Sequence, residues 1–286
     1  MSDRVSTGIQ RLDQALGGGL LPGSLVMICG ATGIGKTQLG VQMLGADSDR
    51  IGAVIDLSSR GDSQNHHDYA QRLLGRPLDA HDPREMITDP FAAPPASVLP
   101  FLGYHGRRVL RSQMDVDQWH AWQSELNRRL PLLYRFIYSH LVHGCQRFLI
   151  DGIEPLQEQS DSLQLELTEL IYHRMLRKEH DWLAREVLRE QFAAQADRVA
   201  QHAYDHRRAV AIVLVTTPQS LLDQLMSQPL ADGDLAAGAN TVMLMGRRIE
   251  DGSMRRGLFI AKHRGSFADP HILSFDITAE GVTFCQ

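Results

Sequence analysis

Lysine is nearly absent from this chain. It occurs only at Lys36, Lys178 and Lys262, and arginine makes up the rest of the 29 basic residues. Positive charge is in deficit overall: the formal net charge is −5, so no global field draws the chain to nucleic acid. Long apolar runs are missing too, and none approaches the ~20 residues that a membrane-spanning helix needs. Cysteine is sparse, and Cys29, Cys145 and Cys285 are too scattered for a disulfide framework. Met1-Ser2-Asp3-Arg4 leads into polar residues rather than an apolar signal region. These absences predict a cytoplasmic protein with no membrane contact. No internal repeat is visible, and 286 residues fit one large domain or two small ones.

One stretch stands out against that background. Gly30-Ala31-Thr32-Gly33-Ile34-Gly35-Lys36-Thr37 reads G-x-x-x-x-G-K-T. The apolar run Leu25-Val26-Met27-Ile28-Cys29 precedes it and a helix-like run from Gln38 to Leu44 follows, giving strand, glycine-rich turn and helix start. A polyphosphate site requires that context. Glycines let the backbone wrap phosphate closely with its N–H groups pointing inward, and the helix start adds its positive dipole end. Lys36 would reach the β- and γ-phosphates, and the Thr37 hydroxyl would face Mg²⁺. A chain that otherwise avoids lysine keeps one here. The candidate ATP-binding set is Gly30, Thr32, Gly33, Ile34, Gly35, Lys36, Thr37 and Gln38. A second apolar run, Arg147-Phe148-Leu149-Ile150-Asp151-Gly152, ends in an aspartate. Asp151 joins Thr37 as a candidate metal residue, because hard Mg²⁺ prefers oxygen ligands.

The arm before the glycine-rich turn makes the pattern more specific. Ser6-Thr7-Gly8 is followed by Leu12-Asp13, Leu16-Gly17-Gly18-Gly19-Leu20 and Gly23-Ser24. Near the other end lies Lys262-His263-Arg264-Gly265-Ser266. With the phosphate loop, these residues resemble the RecA superfamily, and within it the KaiC-like and archaeal RadA-like branch. The resemblance covers roughly 5–60, 145–155 and 209–285. It implies an α/β fold: a RecA-like, mostly parallel sheet flanked by helices, with helical insertions and a C-terminal β-hairpin. It implies a single nucleotide-binding domain over 1–286, with helical elaborations near 111–145 and 157–208. It also implies ATP and Mg²⁺ as cofactors and a homo-oligomeric, hexameric ring with ATP at subunit interfaces. Lys262 and Arg264 inherit the role of reaching a neighbour's ATP, and Thr216 the sensor position at the end of the strand Ala209–Thr217.

One departure matters. In the family the strand matching Ile51–Leu57 ends in the glutamate that activates water. Here Asp56 matches the strand's aspartate, and the glutamate positions fall on Ser58 and Ser59. A serine cannot serve as a carboxylate base at neutral pH. Asp56, Asp62 and Glu154 are the nearby carboxylates that could substitute. The expectation is slow hydrolysis or none, with ATP holding an assembly together and a regulatory protein as partner. The alternatives from the same resemblance are a DNA recombination ATPase and an autokinase. Residues 154–173 and 218–246, which would face DNA, carry aspartates and glutamates but no Lys or Arg. Affinity for DNA comes largely from neutralising its phosphates, so nucleic acid is not expected as the partner.

The middle of the chain is less specific. Residues 64–75 read as a helix stopped by Gly75. Residues 78–110, rich in proline, read as a long irregular loop. A helix pattern runs from Asp115 or Asp117 to about His143, and Pro131 is expected to kink or split it. Residues 157–206 read as a helix or helical hairpin projecting from the core. His140, His143 and Cys145, and the pair His202 and His206, lack a full metal ligand set and read as helix-surface groups.

Overall fold

The aliphatic runs in the sequence become the strands of a sheet buried on both faces. β1 (Leu25–Gly30), β2 (Ala53–Asp56) and β4 (Arg147–Ile153) are buried at every residue, as expected where helices cover both sides. They are joined by β3 (Val98–Pro100), β5 (Val210–Thr216), β6 (Thr241–Glu250), β7 (Ser253–His263), β8 (Leu273–Thr278) and β9 (Gly281–Phe284). Among the described residues the nine strands run in the order β3-β2-β4-β5-β1-β6-β7-β8-β9. From β3 to β6 all neighbours are parallel, and from β6 to β9 all are antiparallel. The computed structural model describes residues 4–47, 50–58, 66–102, 114–153, 163–228, 237–250 and 252–285.

The helices are α1 (Gln10–Ala15), α2 (Lys36–Leu44), α3 (His66–Leu74), α4 (Val116–Val142), α5 (Leu163–Glu169), α6 (His180–Leu188), α7 (Ala196–Gln201) and α8 (Leu222–Ser227). On one face of the sheet, Leu39, Val41 and Met43 of α2 pack with Ile28, Leu149, Ile212 and Leu214. On the other, Trp122, Phe136 and Ile137 of α4 pack with Met27, Ile55, Phe148 and Val213. The arm leads into α1, where Leu12 and the C-cap residue Leu16 are fully buried. None of the described helices is long and apolar enough to cross a membrane.

Four expectations need correction. The proline-rich segment is not wholly irregular, because Val98–Pro100 pairs with β2 and extends the sheet. Pro131 neither breaks nor divides α4, which runs unbroken for 27 residues. Leu126, Leu133, Phe136 and Ile137 bury one face on both sides of the proline, and that packing outweighs the ~3 kcal/mol that an interior proline costs. The helix starts at Asp115, where a capping box ties the Asp115 carboxylate to the Gln118 N–H at 2.7 Å. The described part of 157–206 does not project. It is α5, a π-helical turn (Leu170–Leu176), α6, short 3₁₀ turns and α7, and Leu167, Ile171, Met175, Leu183 and Val187 join the core beneath α4. Finally, β6 and β7 are longer than the apolar pattern suggests. Arg247, Arg248, Arg255 and Arg256 extend them into a ribbon, with Arg247 opposite Arg256 and Arg248 opposite Arg255.

Candidate nucleotide-binding site

The glycine-rich turn leaves β1 at the C-terminal end of the parallel strands. Gly30 must be glycine for packing reasons, since a Cβ there would run into the Met245 carbonyl. Gly35 takes the N-cap position of α2 at φ 113°, and no side chain caps that helix. The left-handed backbone is one that L side chains rarely adopt, and a Cβ on Gly35 would press on Ile277 of β8. Ile34 is buried and anchors the loop, while Thr32 and Gly33 are exposed. The Gln38 Oε1 atom is buried without a hydrogen-bond partner among the described residues.

Lys36 is buried, and its ammonium donates to the Gly30 carbonyl at 2.8 Å and the Ala31 carbonyl at 3.0 Å. Burial lowers its pKa to about 8, with Asp151 opposing that shift. The Thr37 hydroxyl donates to Asp151 Oδ2 at 3.0 Å. Asp151 Oδ1 accepts the Gly152 N–H at 2.7 Å. The strand register sets Asp56 of β2 directly beside Asp151 of β4. Burial raises the pKa of the Asp56 carboxyl, while His66 and Ser58 favour its ionised form. On the far side, Thr216 at the end of β5 lies beside Gly30 in the register, and the Thr217 N–H donates to the Gly30 carbonyl at 3.1 Å. Loop, lysine, hydroxyl and carboxylates therefore share one end of four adjacent strands.

Ser58 lies at the end of this row, buried, with its N–H donating to Asp56 Oδ1 at 2.7 Å. Its hydroxyl finds no well-directed partner, although it sits close enough to Asp56 to favour the carboxylate. Gly152 (φ 95°) makes room for it, because a Cβ there would strike the Ser58 backbone. The Gln164 side chain then ties the two strand ends together by donating to the Leu57 and Gly152 carbonyls, both at 2.8 Å. Of the carboxylates that could replace the missing glutamate, Asp56 is in place. Asp62 and Glu154, like Ser59, lie outside the described residues.

His66 is the residue that sequence reasoning missed. It opens α3, and its Nε2 lies 3.1 Å from Asp151 Oδ2, with side chains only 3% and 4% exposed. No motif spacing announces it, because it reaches the site from the far side of the β2–α3 connection.

Lys262 and Arg264 are not brought to this site. Lys262 is half-buried and Arg264 exposed, and both donate to the Ala237 carbonyl, at 3.0 and 2.6 Å. The register explains why: His263 pairs with Thr241, which pairs with Val26 at the start of β1, whereas the phosphate loop leaves β1 at Gly30, beside Met245. The two places are four strand residues apart, or about 13 Å at ~3.3 Å per residue. The histidines considered for metal binding hydrogen-bond helix carbonyls instead: His140 with Phe136, His143 with Ser139 and His202 with Arg198. Among the described residues no three His, Cys, Asp or Glu side chains form a metal cluster.

Known proteins share parts of this plan. Residues 5–59 match the family described as ATPase, KaiC. The DNA repair protein RadA of Streptococcus pneumoniae is 37% identical over 71 residues, which is 25% of this chain and 17% of that protein. RadA of Aquifex aeolicus is 47% identical over 49 residues, 17% of this chain and 10% of that protein. The chain thus spans less than a fifth of the length of these relatives. A KaiC-like protein from Pyrococcus horikoshii OT3 superposes over 100% of both chains with a TM-score of 0.54 at 17% identity, a likeness of fold. The sheet order, the phosphate loop and these matches make the chain KaiC/RecA-like.

Proposed function

We propose that this KaiC/RecA-like P-loop chain binds ATP with Mg²⁺ and assembles head to tail into a ring, hydrolysing ATP slowly or not at all. The donor set suits the ligand. Backbone N–H groups at the start of α2 and the Lys36 ammonium would hold the phosphates. Oxygens of Thr37 and Asp151 suit a hard cation that keeps part of its water shell. Bound Mg²⁺ would supply charge neutralisation on the phosphates.

The observation that carries the ring is the placement of Lys262 and Arg264 at the end of the sheet opposite their own phosphate loop. They do not reach their own site, and the Ala237 carbonyl that both contact belongs to an exposed residue. In a head-to-tail assembly, one copy's phosphate-loop end meets the next copy's Lys262–Arg264 end, so that cations supplied in trans complete each site. Ser58 supports weak hydrolysis, because no carboxylate follows β2 at that position. A regulatory role with a protein partner follows from ATP held rather than consumed.

Light scattering and phosphate release on the purified chain, with and without ATP and Mg²⁺, test this. The expected outcome is nucleotide-dependent assembly with turnover below ~1 s⁻¹, under the usual enzyme range. Monomers at all nucleotide concentrations rule out the ring, and faster turnover rules out weak hydrolysis.

A second reading, DNA binding, is favoured by the arginine ribbon of β6 and β7, where four arginines outnumber the one carboxylate of those strands, Glu250, which lies 3.8 Å from Arg248. A two-stranded ribbon fits a DNA groove. Single- and double-stranded oligonucleotides at two salt concentrations separate the readings, because DNA affinity must fall steeply with salt.

A further inference from the structure

The His66–Asp151 contact has no counterpart in the roles assigned so far. A buried ionised carboxylate needs its lone pairs occupied. Asp151 meets that need with Gly152 N–H on Oδ1 and with two donors, Thr37 Oγ1 and His66 Nε2, on Oδ2. The carboxylate accepts only, so the His66 nitrogen facing it is the one that carries hydrogen, an assignment made from the partner. Each donor does something different. A hydroxyl has one hydrogen and two lone pairs. With its hydrogen directed to Asp151, the Thr37 oxygen turns its lone pairs away from the carboxylate, the orientation in which it could face a cation. That aim depends on where Oδ2 sits, and the terminal torsion of an aspartate is broad and only loosely staggered. His66, held by the first turn of α3 and buried, is the group that fixes it.

We propose that His66 is a positioning residue for the metal half of the site: by holding Asp151 Oδ2 it sets the Thr37 hydroxyl in the orientation that a divalent cation needs. This rests on the nucleotide reading above and adds a residue to it. The placement also bears on Ser58. The connection that leaves β2 without a glutamate is the one that delivers an imidazole to the neighbouring carboxylate. His66 touches neither nucleotide nor reacting atoms; it acts through Asp151 and Thr37. Outer partners of this kind tune metal sites by roughly 10- to 100-fold in affinity when removed.

The test is a Mg²⁺ titration of the full chain with a fluorescent ATP analogue, comparing wild type with His66→Phe, which keeps a ring and loses the N–H, and His66→Gln, which offers an amide N–H at similar reach. The expected result is that His66→Phe needs about 10-fold or more Mg²⁺ to reach half-saturation, with Mg²⁺-free analogue affinity unchanged, and that His66→Gln recovers most of the loss. If His66→Phe does not fold by thermal melt, His66→Asn replaces it, since its amide is one methylene too short while His66→Gln is not. A His66→Phe or His66→Asn chain with the wild-type Mg²⁺ requirement overturns the assignment, as does a His66→Gln chain no better than His66→Phe. A wild type that binds no analogue overturns the nucleotide reading and this assignment with it.

Discussion

At the C-terminal ends of the parallel strands, Lys36, Thr37, Asp56, His66 and Asp151 are tied to one another or to nearby backbone. At the N-terminal ends, Lys262 and Arg264 share one exposed carbonyl. The difference follows from burial. A charge taken out of water must be partnered where it stands, so the first cluster is fixed before any ligand arrives. An exposed cation loses little when it changes partner. One end of the sheet is therefore preorganised while the cations at the other lie nearer water, a contrast that suits the shared site proposed above.

The comparison can be broken from either end. The largest effect is expected for Lys36→Ala. Losing its charge-assisted bonds to phosphate, at roughly 1.5–3 kcal/mol each, should weaken ATP binding by about 100-fold, measured by analogue fluorescence. The double variant Lys262→Ala and Arg264→Ala should leave ATP affinity within about threefold, since exposed pairs contribute little locally, yet abolish ATP-dependent assembly in sedimentation velocity. If it assembles normally, that end of the sheet has no role. Ser58→Glu restores a carboxylate beside Asp56 and should raise phosphate release by about 10-fold or more, the low side of general-base effects. An unchanged rate would mean that Asp56 or another group already fills that role.

The smallest effect is a pH trend. The pKa of Lys36 is lowered from 10.5 to about 8 in the folded chain, so between those values the unfolded state holds more protons. Stability then rises with pH through that window, and the penalty for burying the ammonium is fully present below pH 8. ATP affinity should fall over the same window as the charge is lost. The thermal midpoint of the ligand-free chain, relative to Lys36→Met, should climb from pH 8 to 9.5. Parallel curves for the two proteins would refute the assignment.

The loop and the Asp151 strand were legible in the sequence because each is local: glycine spacing and an aliphatic run. The parallel sheet flanked by helices and the terminal hairpin followed from the family resemblance. Residues whose position depends on tertiary register were not legible. His66 reaches Asp151 across 85 residues of chain, and Gln164 ties Leu57 to Gly152 from a helix with no motif. Pro131 shows a related effect: local backbone chemistry allows a kink or a split, and only the burial of Leu126, Leu133 and Phe136 on one face shows why the helix is not divided. Lys262 and Arg264 could be picked out by pattern, but their distance from their own loop needed the strand pairing.

The terminal hairpin leans on the phosphate loop: Ile277 lies against Gly35, and the Gln42 side chain accepts the Val282 N–H at 2.8 Å. Its last strand is followed by Cys285, which is exposed, while Cys29 and Cys145 are buried with thiols pushed up to about 12 and about 11. Thiolate is the reactive form, so a maleimide dye added near neutral pH will label the native chain at one place. The unmodified sequence therefore carries its own spectroscopic handle, a strand's length from the loop, through which nucleotide arrival can be followed as a change in fluorescence.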